Sequence, residues 1–417
     1  MIEPVVWGMY LVILYISFFL ILTFFDESAL RESVEWLENF PSVSLVIPAY
    51  NEEDTIAMTI ESALSVDYPD YEVIVVNDGS EDDTLEIVKE YEESGDVKLI
   101  DQENQGKGAA LNAGLEIAEG ELFGVVDADS RLKKNSLKNI VSEMTDEMVG
   151  IASAMKVYQP SNLLQKMQWL EYMVGIFLRN IMGSIDAIHV TPGPLSIYRT
   201  DKLEELGGFD EDTLVEDQEI CFRFQDNHYR VGHSRKGEVY TVAPKTVREF
   251  YDQRYRWYRG SLENLIEYKH MILNPKYGDF GMFGTTAKIL QAGLSVLGIF
   301  LISYYILNPI YSFARDFAQL GFSMFNINLS YYTVSNILQE FYWWTISQRF
   351  LSLILLGSVF LFSLFLAYLS ARHTEEKLFE QGIIPTFTYL FWYVFFIGGV
   401  WSKVFADVAL DWGDRKW

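Results

Sequence analysis

Two patterns of hydrophobic positions divide this chain. From Val43 to Val126, short apolar runs alternate with amphipathic stretches. Val43-Ser44-Leu45-Val46-Ile47, closed by Pro48, reads as a β-strand, and Thr55 to Val66 sets Ile56, Ile60, Ala63 and Leu64 at helical spacing. Tyr71 to Val76 predicts a second strand, Thr84 to Tyr91 a helix and Val97 to Ile100 a third strand. Ala109 to Ala118 predicts another helix and Leu122 to Val126 a fourth strand. Such alternation requires right-handed crossovers, hence an α/β, Rossmann-like, mostly parallel sheet with helices on both faces. The second pattern is unbroken apolarity. Val5 to Phe25 carries no charge and has the length of one membrane-spanning helix, and Ile289 to Ile310, Phe350 to Leu369 and Ile384 to Val404 qualify as well. Phe317 to Trp344 is apolar but holds several Asn and Gln residues with Glu340, so the pattern predicts four or five spans.

Charge sharpens the division. The 417 residues carry a formal net charge of -26, concentrated between Asp26 and Lys276. That balance argues against nonspecific nucleic-acid binding. It also means that a phosphorylated substrate needs local positive charge or a metal. A single cysteine, Cys221, excludes an internal disulfide and suits a cytosolic central domain. The first apolar run has Glu3-Pro4 before it and Asp26-Glu27-Ser28 after it, so it lacks the basic flank and small-residue cleavage site of a signal peptide and reads as a retained anchor.

In parallel sheets ligands bind beyond the carboxyl ends of the strands. Three polar clusters fall there: Pro48-Ala49-Tyr50-Asn51-Glu52, Asn77-Asp78-Gly79-Ser80 and Asp127-Ala128-Asp129. No GxGxxG or Walker A pattern follows the first strand, which argues against a dehydrogenase or a P-loop NTPase. Asp127-x-Asp129 offers two carboxylates at a strand end, suited to Mg2+ or Mn2+ shared with substrate phosphates; its bland alternative is a turn or cap. Asp78 suits a base or ribose, or an Asx-turn with Gly79. Lys107, in Gln105-Gly106-Lys107-Gly108 before a helix, can meet an anion, as can the amides there. Glu216-Asp217 precedes a helical run, as a cap or as catalytic carboxylates. VREFYDQRYRWYRG, Val247 to Gly260, gathers Arg248, Arg254, Arg256 and Arg259, and Gln253, Arg256 and Trp257 share a helix face at i, i+3 and i+4. The run is either the positive flank of a membrane span or a contact for a diphosphate with an aromatic floor beside it.

The ordered set of these pieces resembles the membrane-integrated family-2 glycosyltransferases, among them hyaluronan, chitin, cellulose and poly-N-acetylglucosamine synthases. The resemblance runs from about Ser42 to Glu267 and rests on PAYNE, NDGS, GKGAALNAG, DAD, GGFDEDTLVED and QRYRW in that order. It implies a GT-A-type fold fused to an α-helical transmembrane region. Carried over by position, it implies that Pro48, Tyr50, Glu52 and Asp78 hold the uridine side of a UDP-sugar, with Lys107, Asp127, Gln253 and Arg256 at the diphosphate. Asp129 would bind the metal, Asp217 with Glu216 beside it would supply the base, and Trp257 would line the acceptor pocket. The expected organisation is an anchor over residues 1–30, a cytosolic catalytic domain over 40–260, and interfacial helices with C-terminal spans over 261–417. Ser161 to Ile185 and Ser261 to Leu273 have the amphipathic character of interfacial helices. The expected activity is inverting transfer from a UDP-sugar, tilted towards N-acetylglucosamine, to a growing β-linked polysaccharide at the cell membrane. The alternative is transfer of one sugar to a lipid acceptor, as in ceramide glucosyltransferases.

Overall fold

A computed structural model describes residues 2–25, 39–321, 339, 342–343 and 348–410. Most of the ambiguous segment Phe317 to Trp344 therefore lies outside the described residues. A long helix, α1 (Ile2–Phe25), comes first. The alternating region then gives β1 (Val43–Ala49), α2 (Ile56–Leu64), β2 (Tyr71–Asp78), α3 (Thr84–Glu93), β3 (Lys98–Gln102), α4 (Lys107–Ile117) and β4 (Leu122–Val125). Two boundaries move in a way that matters. Asn77 and Asp78 belong to β2, because the parallel ladder continues through Asn77↔Asp101 and Asp78↔Gln102. Lys107 is the first residue of α4 rather than part of the loop before it. Beyond these follow β5 (Ser130–Leu132), α5 (Ser136–Ser142), β6 (Met148–Val157), α6 (Leu163–Ser184), β7 (Ser196–Arg199), α7 (Thr200–Glu205), α8 (Glu216–Asp226), β8 (Arg230–Thr241) and α9 (Val247–Glu267).

The strands form one sheet in the order β3-β2-β1-β4-β7-β6-β8-β5. The pairs β1/β2, β2/β3, β1/β4 and β6/β8 are parallel, while β4/β7, β6/β7 and β5/β8 are antiparallel. The sheet is thus mostly parallel with a mixed second half. Every residue of β1 is buried. Val43, Leu45 and Ile47 enter the core that includes α2, while Val46 enters the opposite core with Ala110, Leu111 and Ile220 from α4 and α8. A strand alternates its side chains between faces, so this split demands helices on both. Each such Val, Leu or Ile contributes about 1.5–3 kcal/mol by leaving water.

Among the described residues three further long helices follow: α10 (Thr285–Leu320), α11 (Gln348–His373) and α12 (Ile383–Leu410). Phe280–Phe300 and Ile383–Leu410 are long and apolar enough to cross a membrane by length and composition. The amphipathic stretch expected at Ser161 to Ile185 is α6, begun by the Asn162 side chain accepting from Gln165 N at 2.9 Å. It packs against α11 and α12. A reciprocal capping box between Thr246 and Glu249 starts α9, which runs unbroken past residue 260 and packs on α12 by stacking Tyr258 on Trp401 at 4.7 Å. The sheet and the apolar helices are joined by α6 and α9.

Candidate active site

The chain builds β1, β2 and β3 outwards and then returns to lay β4 on the other side of β1. Loops leaving β1 and β4 therefore diverge, and the crevice between them is where the polar clusters converge. The end of β1 is sewn to the end of β2. Asn51, in the left-handed region at φ 55°, donates its N–H to Ser80 Oγ at 3.0 Å, and Glu81 N–H donates to Asn51 Oδ1 at 2.8 Å. Glu52 N–H donates to Thr84 Oγ1 at 2.8 Å, and its carboxylate accepts from the Thr55 hydroxyl at 2.5 Å. Burial raises the Glu52 carboxyl above its ordinary value; the Thr55 bond opposes the rise and the Asp127 charge adds to it. Pro48 lies inside β1 opposite Val76, beyond the stretch that pairs with β4, so its missing N–H breaks no ladder there. Tyr50, just after β1, is 46% exposed.

Asp78 does not form the Asx-turn that its sequence allows. Its buried carboxylate accepts from Gln102 Nε2 at 2.7 Å, Gln105 N at 3.0 Å and Gly106 N at 2.9 Å. It is the clamp that fixes the loop before α4, where Gly106 adopts φ 96°, a conformation open to glycine. The clamp sets the position of Lys107, whose Nζ lies 2.7 Å from Asp127 Oδ1 and 2.7 Å from Glu216 Oε1. One ammonium thereby ties the end of β4 to the first residue of α8. Burial works against that charge, but Asp127, Glu216 and Asp217 outweigh it and hold the ammonium protonated well above the ordinary lysine range.

The carboxylates around Lys107 are not equivalent. Glu216 is held below its ordinary value: burial opposes ionisation, but the Lys107 charge and hydrogen bond override it, helped by Arg256. Asp217, next in sequence, is pushed up to about 7 by burial and then by Glu216, with Lys107 and Arg256 pulling partly back. Neighbouring acids whose environments drive them apart are suited to different roles. The peptide carrying Asp217 is held from behind, since Thr191 donates to its carbonyl oxygen through N–H at 3.3 Å and Oγ1 at 2.9 Å. Asp129 is also pushed up to about 7, by burial and then by Asp127 and Glu52, against a hydrogen bond from Thr241 Oγ1 at 3.1 Å.

On α9 the four arginines separate. Arg254 is buried and paired with Glu171 of α6 at 2.7 Å, Arg259 is paired with Glu263 at 3.2 Å, and Arg248 is exposed. Arg256 is the exposed arginine whose charge acts on Glu216 and Asp217. Trp257 is half-buried, with the Arg254 guanidinium 4.3 Å from its ring centre, so one face of the indole is already covered. Gln253 Oε1 is buried without a hydrogen-bond partner among the described residues. The structure thus gathers Glu52, Lys107, Asp127, Asp129, Glu216, Asp217 and Arg256 into one field of charge, with Asp78 as its loop anchor. Tyr50 and Gln253 lie outside its network of bonds.

Sequence reasoning missed Thr191, Thr241 and Gly193. A Cβ at Gly193 would fall 2.4 Å from Asp127 Oδ1, so that backbone approaches the carboxylate as only glycine permits. The one signal was the run of small residues and prolines in VTPGPLSIYR. Among the described residues no three His, Cys, Asp or Glu side chains stand close enough to hold an ion alone. The mutual repulsion of Asp127, Asp129 and Glu52 nevertheless fits a divalent cation held by one or two carboxylates and completed by substrate phosphates.

Comparison with known proteins follows the same lines. A family profile described as Glycosyl transferase family 2 matches residues 44–207. A poly-beta-1,6-N-acetyl-D-glucosamine synthase of Staphylococcus epidermidis is 28% identical over 54% of this chain and 55% of its own length. The protein of that name from Staphylococcus aureus strain MSSA476 is 24% identical over 65% of each chain. The matches therefore span between about half and two thirds of those relatives. A mannosyltransferase from Pyrobaculum calidifontis, solved with GDP-Man and Mn2+, superposes with a TM-score of 0.55 at 18% identity, covering 87% of this chain and 98% of its own. At that identity the likeness concerns the fold, which is GT-A-like.

Proposed function

We propose that this chain, whose residues 44–207 form a glycosyl transferase family 2 domain, is an inverting, metal-dependent enzyme that moves a sugar from a UDP-sugar to a growing β-linked polysaccharide at a membrane. The observation that carries the proposal is the double ion pair of Lys107, which joins the DAD carboxylates to the pair Glu216-Asp217. Inverting transfer needs one base to take the acceptor hydroxyl proton as the oxygen attacks the anomeric carbon. Asp217 is that base: with its carboxyl near neutrality it holds and releases a proton at working pH. Charge growing on the departing diphosphate needs cations. Arg256 supplies one from α9, and Lys107 a second. Asp129 and Asp127 would hold Mg2+ or Mn2+, which when bound neutralises the diphosphate and makes it a better leaving group. Tyr50 and Glu52 face the nucleoside and Asp78 acts by fixing the loop beneath it, with Pro48 setting the direction of the strand end. Gln253 serves the diphosphate, and the free face of Trp257 meets the acceptor.

Organised this way, residues 1–30 anchor the chain, 40–260 do the chemistry on the cytosolic side, and 261–417 supply interfacial and spanning helices. The relatives named as poly-N-acetylglucosamine synthases support N-acetylglucosamine as the sugar and processive extension as the mode. A second reading, one sugar added to a lipid acceptor, is favoured by the small number of helices among the described residues that are long and apolar enough to cross a membrane. The test is product analysis from full-length protein in lipid, supplied with UDP-N-acetylglucosamine, UDP-glucose and UDP-glucuronate. Release of UDP with a polymer ladder supports the first reading, and a single glycolipid band the second. No UDP from any donor would end both.

A further inference from the structure

Two short basic runs take no part in the crevice: Lys133-Lys134, just after β5, and Arg235-Lys236 within β8. In a chain of net charge -26 such runs need a reason. The antiparallel pairing of β5 with β8, Leu132 opposite Val239, brings them side by side. Asn139 of α5 holds the second run there by donating to the Lys236 carbonyl oxygen at 2.9 Å. Together they line a cavity of about 570 Å³, whose lining also includes His373 at the end of α11 and Thr374 and Glu375 beyond it.

Charge is treated in two ways in this cavity. The buried cation in its lining, Lys156, is neutralised: its Nζ lies 2.6 Å from Glu238 and 3.1 Å from Glu376, and it donates to the Thr374 carbonyl oxygen at 3.2 Å. Strand β6 is thereby tied to the residue that follows α11. The exposed cations are left over. Lys134, Arg235 and Lys236 make no ion pair among the described residues. Nearby Glu143 accepts from the Arg235 backbone amide at 3.1 Å rather than from either side chain. Of the two acids in the lining, Glu238 is engaged by Lys133 and Lys156, and Glu375 is exposed. The cavity therefore keeps an excess of positive charge, which suits an anion.

Its surroundings select the carrier of that anion. The lining holds no Phe, Tyr or Trp, so a nucleotide base finds no ring to stack on. Apolar surface stands beside it instead. Helix α11 exposes Leu361, Phe365 and Tyr368, and just past the cavity Phe379, Ile383 and Ile384 are exposed where α12 begins, a helix long and apolar enough to cross a membrane. Free cations next to exposed apolar side chains suit a charged head with acyl chains behind it.

We infer that Lys134, Arg235 and Lys236 bind the phosphodiester headgroup of an anionic phospholipid in this cavity. Strand β5 begins directly after Asp129, so a bound headgroup seats the carboxylate-bearing end of the sheet against the bilayer. The inference rests on the reading of the apolar helices as membrane-embedded, and not on glycosyl transfer.

The experiment titrates the full-length chain in detergent micelles with dioleoyl phosphatidylglycerol or dioleoyl phosphatidylcholine, read by native mass spectrometry. Phosphatidylglycerol should add one saturable ligand that zwitterionic phosphatidylcholine does not match. Lys134→Gln, Arg235→Gln and Lys236→Gln should each weaken its binding about fivefold, the factor that corresponds to about 1 kcal/mol for one basic residue at an anionic surface. Lys89→Gln removes the same charge from an exposed position on α3, beside the opposite edge strand β3, and should change nothing. Equal binding of the two lipids, unchanged affinity when all three cations are replaced, or an equal loss in Lys89→Gln overturns the inference. So does inorganic phosphate that binds where phosphatidylglycerol does not. Lipid binding needs neither donor nor turnover. A chain that takes up the lipid and releases no UDP would sink the proposed reaction and leave this site standing; the converse result would sink the site alone.

Discussion

The crevice at the strand ends and the seam between the sheet and the apolar helices use the same charged residues to opposite effect. In the seam, charge is cancelled. Arg254 meets Glu171, Lys156 meets Glu238 and Glu376, and Asp407 takes both Lys403 and the Tyr255 hydroxyl. In the crevice, charge is left in excess. Asp129 and Asp217 are both driven up to about 7, while Arg256, whose charge acts on Asp217, remains exposed. Neutralised pairs hold two layers together; unneutralised groups are held ready for a substrate that completes them. The cost of those groups is borne by the surrounding fold, which is why perturbed acids in a crevice point to chemistry.

Substitutions should separate the two regions. The largest effect belongs to Asp217→Asn, which should lower kcat by about 10²–10⁴-fold, the usual worth of a general base, while calorimetry finds UDP binding nearly unchanged. Wild-type turnover in that variant would remove Asp217 from the mechanism. Next is the metal: EDTA should abolish UDP release, Mn2+ should restore it in the wild type, and Asp129→Asn should fail to recover at the same Mn2+ concentration. Arg256→Ala should cost about 10²–10³-fold in kcat/KM with an unchanged melting temperature. Equal activity would return the arginine run to a topological role.

Smaller effects are set by pH. Below about 7 the buried Asp217 carries a proton and cannot accept another, so kcat/KM should fall about tenfold for each unit of acidification. The stability consequence has the opposite sense. An unfolded aspartate ionises near 3.9, about three units below the folded group, so the stability this carboxyl contributes is full below that value and is lost as pH rises towards 7. Asp217→Asn should therefore melt higher than the wild type at pH 8 and lose that advantage at low pH. In the seam, Arg254→Ala should do the reverse of the crevice variants. It leaves the partly buried Glu171 without its cation, costing up to about 3–5 kcal/mol of stability, with the donor KM little changed when the protein is assayed cold.

Much of the catalytic unit was legible along the chain. Strands β1 to β4 fell where the apolar runs predicted them: β1 and β4 are buried throughout and have no polar face to blur the signal, while the edge strand β3 is marked by Leu99 and Ile100 alone. The DAD and ED carboxylates were visible as pairs at element ends. Their separation into one held low and one pushed up was not, since Glu216 and Asp217 differ only in which of them faces Lys107. Asp78 showed the same limit: its sequence context suits a turn, but the partners of its carboxylate come from residues 102 to 106.

Local pattern fixed the alternating elements, the apolar helices and the residue types that can do this chemistry, because each depends on spacing over a few turns or one strand. Tertiary structure alone decided which of four neighbouring arginines is spent on Glu171 and which reaches the acids. It also placed Gly193 against Asp127 and brought the amides of residues 105 and 106 onto the carboxylate of Asp78. Those outcomes depend on contacts between segments distant in the chain, and Coulomb energies follow distance in space rather than separation in sequence.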